Sequence, residues 1–342
     1  MSVPLLSSRG PLDRRHLLFR RMPRFQGLGG VVLRRLVTLV PMLLIISIAA
    51  FSLALLLPGD PATAALGPNP TAEQIAAARK ALDLDKPAPV RYVSWLGKAV
   101  TGDFGVSVTT GQPVREELGR RFGVTASIAG FTLLLAAVLG TLIGVVQAVF
   151  ANRLPDRVLL GAVSLGLSIP NFWLATLLVA FFAVRLGWLP AIGYVSPSES
   201  VIEWAKHLVL PVATLAVFPA AELARQIRTG LVHVLGLEYI RAARARGFGP
   251  LRVIGKHALK NAAAPALTIF GLRVGYLLAG SIIVEQIFVM PGLGAYTLAA
   301  ITNRDATVIQ AMVLITAVIV VLVNLLVDVA YMALNPRVRV TS

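Results

Sequence analysis

Long uncharged apolar blocks, separated by short charged connections, set the pattern of this chain. The first block covers residues 36–57, the second about 124–149 and the third about 158–184. A fourth begins at Leu208 and loses its uncharged character at Ala221, so it spans a bilayer only if Glu222, Arg225 and Arg228 continue the helix on a protein-facing side. The fifth covers 262–284 with Arg273 inside it, and the sixth 306–334 with Asp328 near its end. A helix rises about 1.5 Å per residue, so roughly 20 apolar residues cross about 30 Å of hydrocarbon. The pattern predicts an all-α polytopic membrane protein with six transmembrane helices.

Composition agrees. Of 342 residues 56% are hydrophobic and 14% charged, which excludes a soluble enzyme and a disordered protein, and with no Cys there is neither a disulfide scaffold nor a thiolate metal site. The first block, at 22 residues, exceeds the core of a cleaved signal peptide and reads as a retained helix. Charge then orients the chain. With the N-terminus inside, the inner segments hold 20 Lys and Arg and the outer ones 11, eight of those in a 66-residue loop where seven acids nearly balance them. Both termini are therefore expected in the cytoplasm. The net charge of +16 belongs to the inner face of a lipid bilayer, and nucleic acid is not needed to explain it.

The expected organisation is a lead-in at 1–35, a first helix at 36–57, an extracytoplasmic loop at 58–123, a five-helix core at 124–334 and a cytoplasmic tail at 335–342. The outer loop has turn signals and a helical stretch near 71–82 that Thr71 can cap. An inner loop at 222–261 is long, basic and helix-prone.

Catalytic chemistry is missing from the sequence. The Gly-Lys pairs, Gly97-Lys98-Ala99 and Gly255-Lys256-His257, lack the hydroxyl of a phosphate loop, and four scattered histidines have no ligand spacing. No catalytic, cofactor or metal residue is expected, so energy must come from a gradient or a partner.

The inner loop is the most specific region. Arg241, Arg244 and Arg246 interleave with Ala242, Ala243 and Ala245 to predict a short helix, which Gly247 breaks before Gly249-Pro250 turns the chain. Alanines allow close approach by another protein's groove. Basicity alone is what any cytoplasmic loop shows; the spacing adds more. Tyr239-Ile240-Arg241-Ala242-Ala243-Arg244-Ala245-Arg246-Gly247-Phe248, with Pro265 eighteen residues after Gly247, resembles the EAA loop of ABC importer permeases, in the form used by the dipeptide/oligopeptide branch. The generic pattern's Glu is Arg241 here. Other segments match that family in order: Leu57-Pro58-Gly59-Asp60-Pro61, Leu84-Asp85-Lys86-Pro87, Gly102-Asp103-Phe104-Gly105, Gly111-Gln112-Pro113-Val114, Ile169-Pro170-Asn171-Phe172, Leu189-Pro190, Glu285, Pro291-Gly292-Leu293-Gly294 and Val323 to Asp328. Asp83 and Asn335 depart from it.

The resemblance implies the type I ABC importer permease (MetI-like) fold in the cytoplasmic membrane of a prokaryote. It implies a second homologous permease, one or two ABC ATPase subunits holding the ATP and magnesium, and an extracytoplasmic binding protein that delivers dipeptides or oligopeptides. Residues Tyr239, Arg241, Ala242, Ala243, Arg244, Arg246, Gly247, Phe248 and Pro265 would form the ATPase-coupling loop. Related permeases serve nickel, glutathione or other solutes, and a secondary carrier or channel is the competing class.

Other residues keep two readings. A central Arg costs about 2.5–3.5 kcal/mol on insertion scales, so Arg273 either lines the path or pairs with an acid such as Asp328. Asp328 is otherwise a helix-packing acid. Glu222, Arg225 and Arg228 share one helical face, as an intrahelical pair or as an inner gate. Gly140-xxx-Gly144 and Gly271-xxx-Gly275 suit close helix crossings. Pro41 and Pro170 would kink the first and third helices.

Overall fold

The computed structural model describes residues 28–56, 62, 66, 70–81 and 84–334; within its helices the side chains of 28–36, 38, 54, 56, 78, 81, 264–269, 271–274, 278 and 327–334 are outside that description. The lead-in up to 27, most of the 57–69 connection with its Leu57–Pro61 match, Asp83 and the tail from Asn335 lie outside the described residues as well.

Helix α1 (Leu28–Leu56) starts before the apolar run and takes Arg34 and Arg35 into its first turns. In the outer loop, α2 (Ala72–Ala81) has the cap expected of Thr71: its Oγ1 accepts from Gln74 N at 3.3 Å while Gln74 Oε1 accepts from Thr71 N at 2.9 Å. Helix α3 (Ala88–Val100) was not signalled by the apolar pattern. Tyr92 and Trp95 hold it against Phe51 of α1, with ring centroids 5.6 and 6.0 Å apart, and the Tyr92 hydroxyl lies 2.8 Å from Ser47 Oγ.

Helix α4 (Val114–Val149) has 36 residues, so it is about 54 Å long and starts ten residues before the apolar block. Five of those ten residues are charged, which reads as loop; they stay helical because partners recur one turn apart. Arg121 donates through Nε and Nη2 to Glu117 at 2.8 Å. The third apolar block is a break rather than a kink: α5 (Leu154–Ser168) and α6 (Asn171–Leu178, prolonged by π-helical Val179–Arg185) meet at 107°. Ile169 takes the extended backbone (ψ 123°) that a residue before proline prefers, and Pro170 stands just before α6.

Helix α7 (Val201–Leu235), capped by Ser200, carries Glu222, Arg225 and Arg228 on as helix, so the polar stretch from 222 is not loop until after Leu235. Then come α8 (Glu238–Ala245) and α9 (Leu259–Ile287), entered through Pro250–Arg252 and π-helical Val253–Ala258. After these follow α10 (Leu293–Thr302) and α11 (Ala306–Leu334). Among the described residues three helices are long and apolar enough to cross a membrane, Val114–Val149, Val201–Leu235 and Ala306–Leu326, or four if the bent α5–α6 pair is one span.

The protein is built around α7. In its most apolar window 72% of residues are buried, against 28% for α4 and 22% for α11. The α4–α7 crossing is the tightest contact. A methyl group on Gly140 would lie 2.7 Å from the Ala220 carbonyl oxygen, and one on Gly144 would lie 2.6 Å from that of Ala224. Only glycine lets the backbones approach so closely. Gly275 is different, meeting Val320 at an ordinary 3.6 Å.

Candidate functional site

Two constructions stand out, one at each end of the helices. At the end where α7 finishes, α8 is an amphipathic helix rooted by one face. Ile240 is fully buried and packed with Ile227, Leu231, Val234 and Val253, and Ala243 is 7% exposed. The chain leaves α8 through Gly247, whose φ of +83° is a conformation that suits glycine, with Gly247 N donating to Arg244 O at 2.9 Å. Phe248 then stacks on His257 (5.5 Å between ring centroids, 7° between planes), and the Arg252 guanidinium lies 4.6 Å from the Phe248 ring. Asn261 Nδ2 donates to the Tyr239 hydroxyl at 2.9 Å, tying α8 to α9.

The other face is free to meet a partner: Arg241, Ala242, Arg244, Ala245 and Arg246 are exposed. This divides the residues expected to couple to an ATPase. Ala243 is buried within this chain, whereas Ala242 is exposed. Tyr239 and Phe248 serve as anchors, and the Pro265 side chain lies outside the described residues.

Nearby, Arg228 grips Asp156 of α5, Nε to Oδ1 and Nη2 to Oδ2, both at 2.7 Å. Asp156 also accepts from Asn152 N at 2.8 Å. The pair Arg228 forms is therefore between helices, not the intrahelical one expected with Glu222. Glu222 is 8% exposed and Arg225 is exposed. Nothing in the isolated sequence tied Asp156 to Arg228, 72 residues away. The side chains of Arg273 and Asp328 lie outside the described residues.

At the opposite end, two buried carboxylates flank α10, and one of them holds it. Glu285, fully buried, accepts from Thr125 Oγ1 at 2.7 Å and from Ala295 N at 2.9 Å, with further bonds from Gly294 N and Ser281. Thr125 Oγ1 in turn accepts from Leu293 N at 2.8 Å. The carboxylate thus sits at the positive end of α10 and locks it to α4. A side chain at Gly292 could not coexist with it, since an added Cβ would fall on the Glu285 carboxyl group. Beyond α10, Asp305 is 2% exposed and accepts from Ser107 Oγ at 2.6 Å, Thr109 N at 3.2 Å and Val308 N at 3.1 Å. Sequence reasoning marked Glu285 only as a family match and passed over Thr125, Ser107 and Asp305.

An apolar helical body with helices long enough to cross a bilayer carries a small basic helix at one end. Residues 140–340 match the family model "Binding-protein-dependent transport system inner membrane component", and residues 30–129 match its N-terminal component. The chain belongs to this family and is the permease subunit of an ABC importer, a class that works with an ATPase and a substrate-binding protein in the inner membrane. It is 38% identical to a probable peptide ABC transporter permease of Sinorhizobium fredii, over 91% of this chain and all of that protein. It is 42% identical to the glutathione transport system permease of Salmonella choleraesuis, over 90% of this chain and 98% of that one. In structure it is similar to a chain of the MetNI methionine ABC transporter in an inward-facing form (TM-score 0.53, 21% identity, 64% of this chain and 96% of that one), which shows the type I fold.

Proposed function

We propose that the chain is one half of the pore of an ATP-driven importer of dipeptides or oligopeptides, crossing the membrane six times with both termini in the cytoplasm. A second homologous permease completes the pore, and one or two ABC ATPases, which hold the ATP and magnesium, receive α8. An extracytoplasmic binding protein supplies the ligand. The observation that carries the reading is the two-faced α8: Ile240 and Ala243 fix it to the helix ends of this chain while Arg241, Ala242 and Arg244 face outward. A push on the outer face is then transmitted to α7 and α9 as rigid-body motion, which switches access to the path. Glutathione is itself a tripeptide, so the relative that transports it supports a peptide ligand as much as the peptide permease does.

The test is a mild-detergent pull-down from native membrane with mass spectrometry, joined to a point variant. A second permease with one or two ATPases is the expected catch. Ala242→Glu, on the exposed face, is expected to insert and fold normally while losing at least tenfold in ATPase recovery and uptake. A folded chain recovered alone, with uptake that follows an ion gradient without ATP, would instead make this a secondary carrier.

A further inference from the structure

Helix α5 has 15 residues and is about 22 Å long, short of the roughly 30 Å of hydrocarbon, and it stops at the 107° break before α6. Its placement therefore rests on what holds it to α7, and that contact changes character along its length. Towards the break it is made of small apolar groups. An added Cβ at Gly166 would lie 3.1 Å from Val217 Cγ1 and 3.3 Å from Ala221 Cβ, and Val163 clusters with Ala221 and Ala224. Such contacts are non-directional and do little to stop one helix sliding on the other.

At the start of α5 the contact is directional. Arg228 donates through Nε and Nη2 to the two oxygens of Asp156, and Asp156 Oδ2 also accepts from Asn152 N in the turn before α5. A two-point fork between planar groups fixes position as well as distance. The Asp156 side chain is 3% exposed and that of Arg228 24%. A pair withdrawn from water is a weak source of stability, and its best-attested use is to set register.

The place of Arg228 on α7 is the second observation. Ile227 and Leu231, beside it on the helix, pack with Ile240 of α8. Gly230 lies against α9, where an added Cβ would be 2.8 Å from Ala262 O. One turn of α7 thus carries α8 at 227 and 231 and α5 at 228. A displacement of α8 that reaches α7 meets α5 within that same turn.

We propose that Arg228 and Asp156 are positioning residues for transport, the joint through which α5 and the broken span it begins follow α7 when α8 is pushed. The inference rests on the importer reading above and adds α5 to the helices that receive the push.

The chain has no Cys, so spin labels at Leu160→Cys on α5 and Val232→Cys on α7, both exposed positions, have no background. In the reconstituted wild-type transporter one narrow distance is expected between them, the same without nucleotide and in the vanadate-trapped state. Asp156→Asn keeps the shape of the side chain, and Arg228→Lys keeps the charge but loses the fork. In both, the distance should shift or broaden on trapping. Both should assemble with ATPase activity retained, while uptake of a radiolabelled mixture of di- and tripeptides per ATP falls at least threefold. A pair that served folding alone would lower assembly, ATPase and uptake together. Arg228→Lys carries the test by itself if Asp156→Asn does not assemble. A wild-type distance that changes on trapping, variants whose distance stays as narrow as in the wild type, or unchanged uptake per ATP overturns the proposal. Wild-type vesicles that take up no peptide with ATP defeat the importer reading, while the label distances still decide whether the pair holds α5 to α7.

Discussion

The two halves of α4 make opposite use of glycine. In the inner half, Gly140 and Gly144 lie against the backbone of α7, where an added Cβ would come within 2.8 Å of Ala220 O, Leu223 Cβ, Ala224 O or Ile227 Cβ. In the outer half, Gly119, Gly123 and Gly130 have nothing within 4 Å of that position. A single helix therefore has its C-terminal glycines committed to a crossing within its own chain and its N-terminal glycines left open. The lesson is that small-xxx-small spacing permits a close crossing without stating which chain fills it.

Three substitutions test that contrast. The largest effect belongs to Gly144→Val, whose side chain has no room unless α7 moves away; about 3 kcal/mol of destabilisation is expected, read as a lower thermal midpoint in detergent. Arg228→Met comes next. It strands the carboxylate of Asp156, whose side chain is 3% exposed, but Arg228 is itself partly open to water. The expected loss is thus about 2 kcal/mol, below the range for a fully buried pair. Smallest is Gly123→Ala, which should stabilise the isolated chain by up to about 1 kcal/mol, since the position is open and alanine favours helix. A loss of stability for Gly123→Ala in the assembled transporter, in place of the gain in the isolated chain, would show that a second subunit covers the open glycines. Equal stabilities of Gly144→Val and Gly123→Ala would break the contrast altogether.

The same division explains what the sequence made legible. Helix α8 was readable because its determinants are adjacent: alanines and arginines in alternation, then a glycine needed for a positive φ. The apolar blocks were readable because the bilayer imposes length and composition on each helix separately. The outer extension of α4 was misread as loop, since Glu116, Glu117, Arg120 and Arg121 look solvated until their one-turn spacing is weighed. The depth of the break at Pro170 was hidden because one proline is compatible with either a bend or an interruption. The carboxylate anchors were beyond reach for another reason. Thr125 meets Glu285 across 160 residues and Ser107 meets Asp305 across 198. Such pairs leave no local trace in composition or period.

Helix α7 has a consequence for how the chain is made. It is the most enclosed of the three long apolar helices and also the least apolar, with mean hydropathy 1.6 against 2.3 for α4 and 2.7 for α11. A segment that ends up wrapped in protein is released from the demand that lipid makes on its surface, which is why it can carry Glu222 and Arg228. During synthesis, however, its later neighbours are not yet present, and only what has already emerged can shield it. Helix α4 precedes it in the chain and offers the Gly140 and Gly144 surface ready made, so the polar positions of α7 have a protein surface to turn to as soon as the helix is formed.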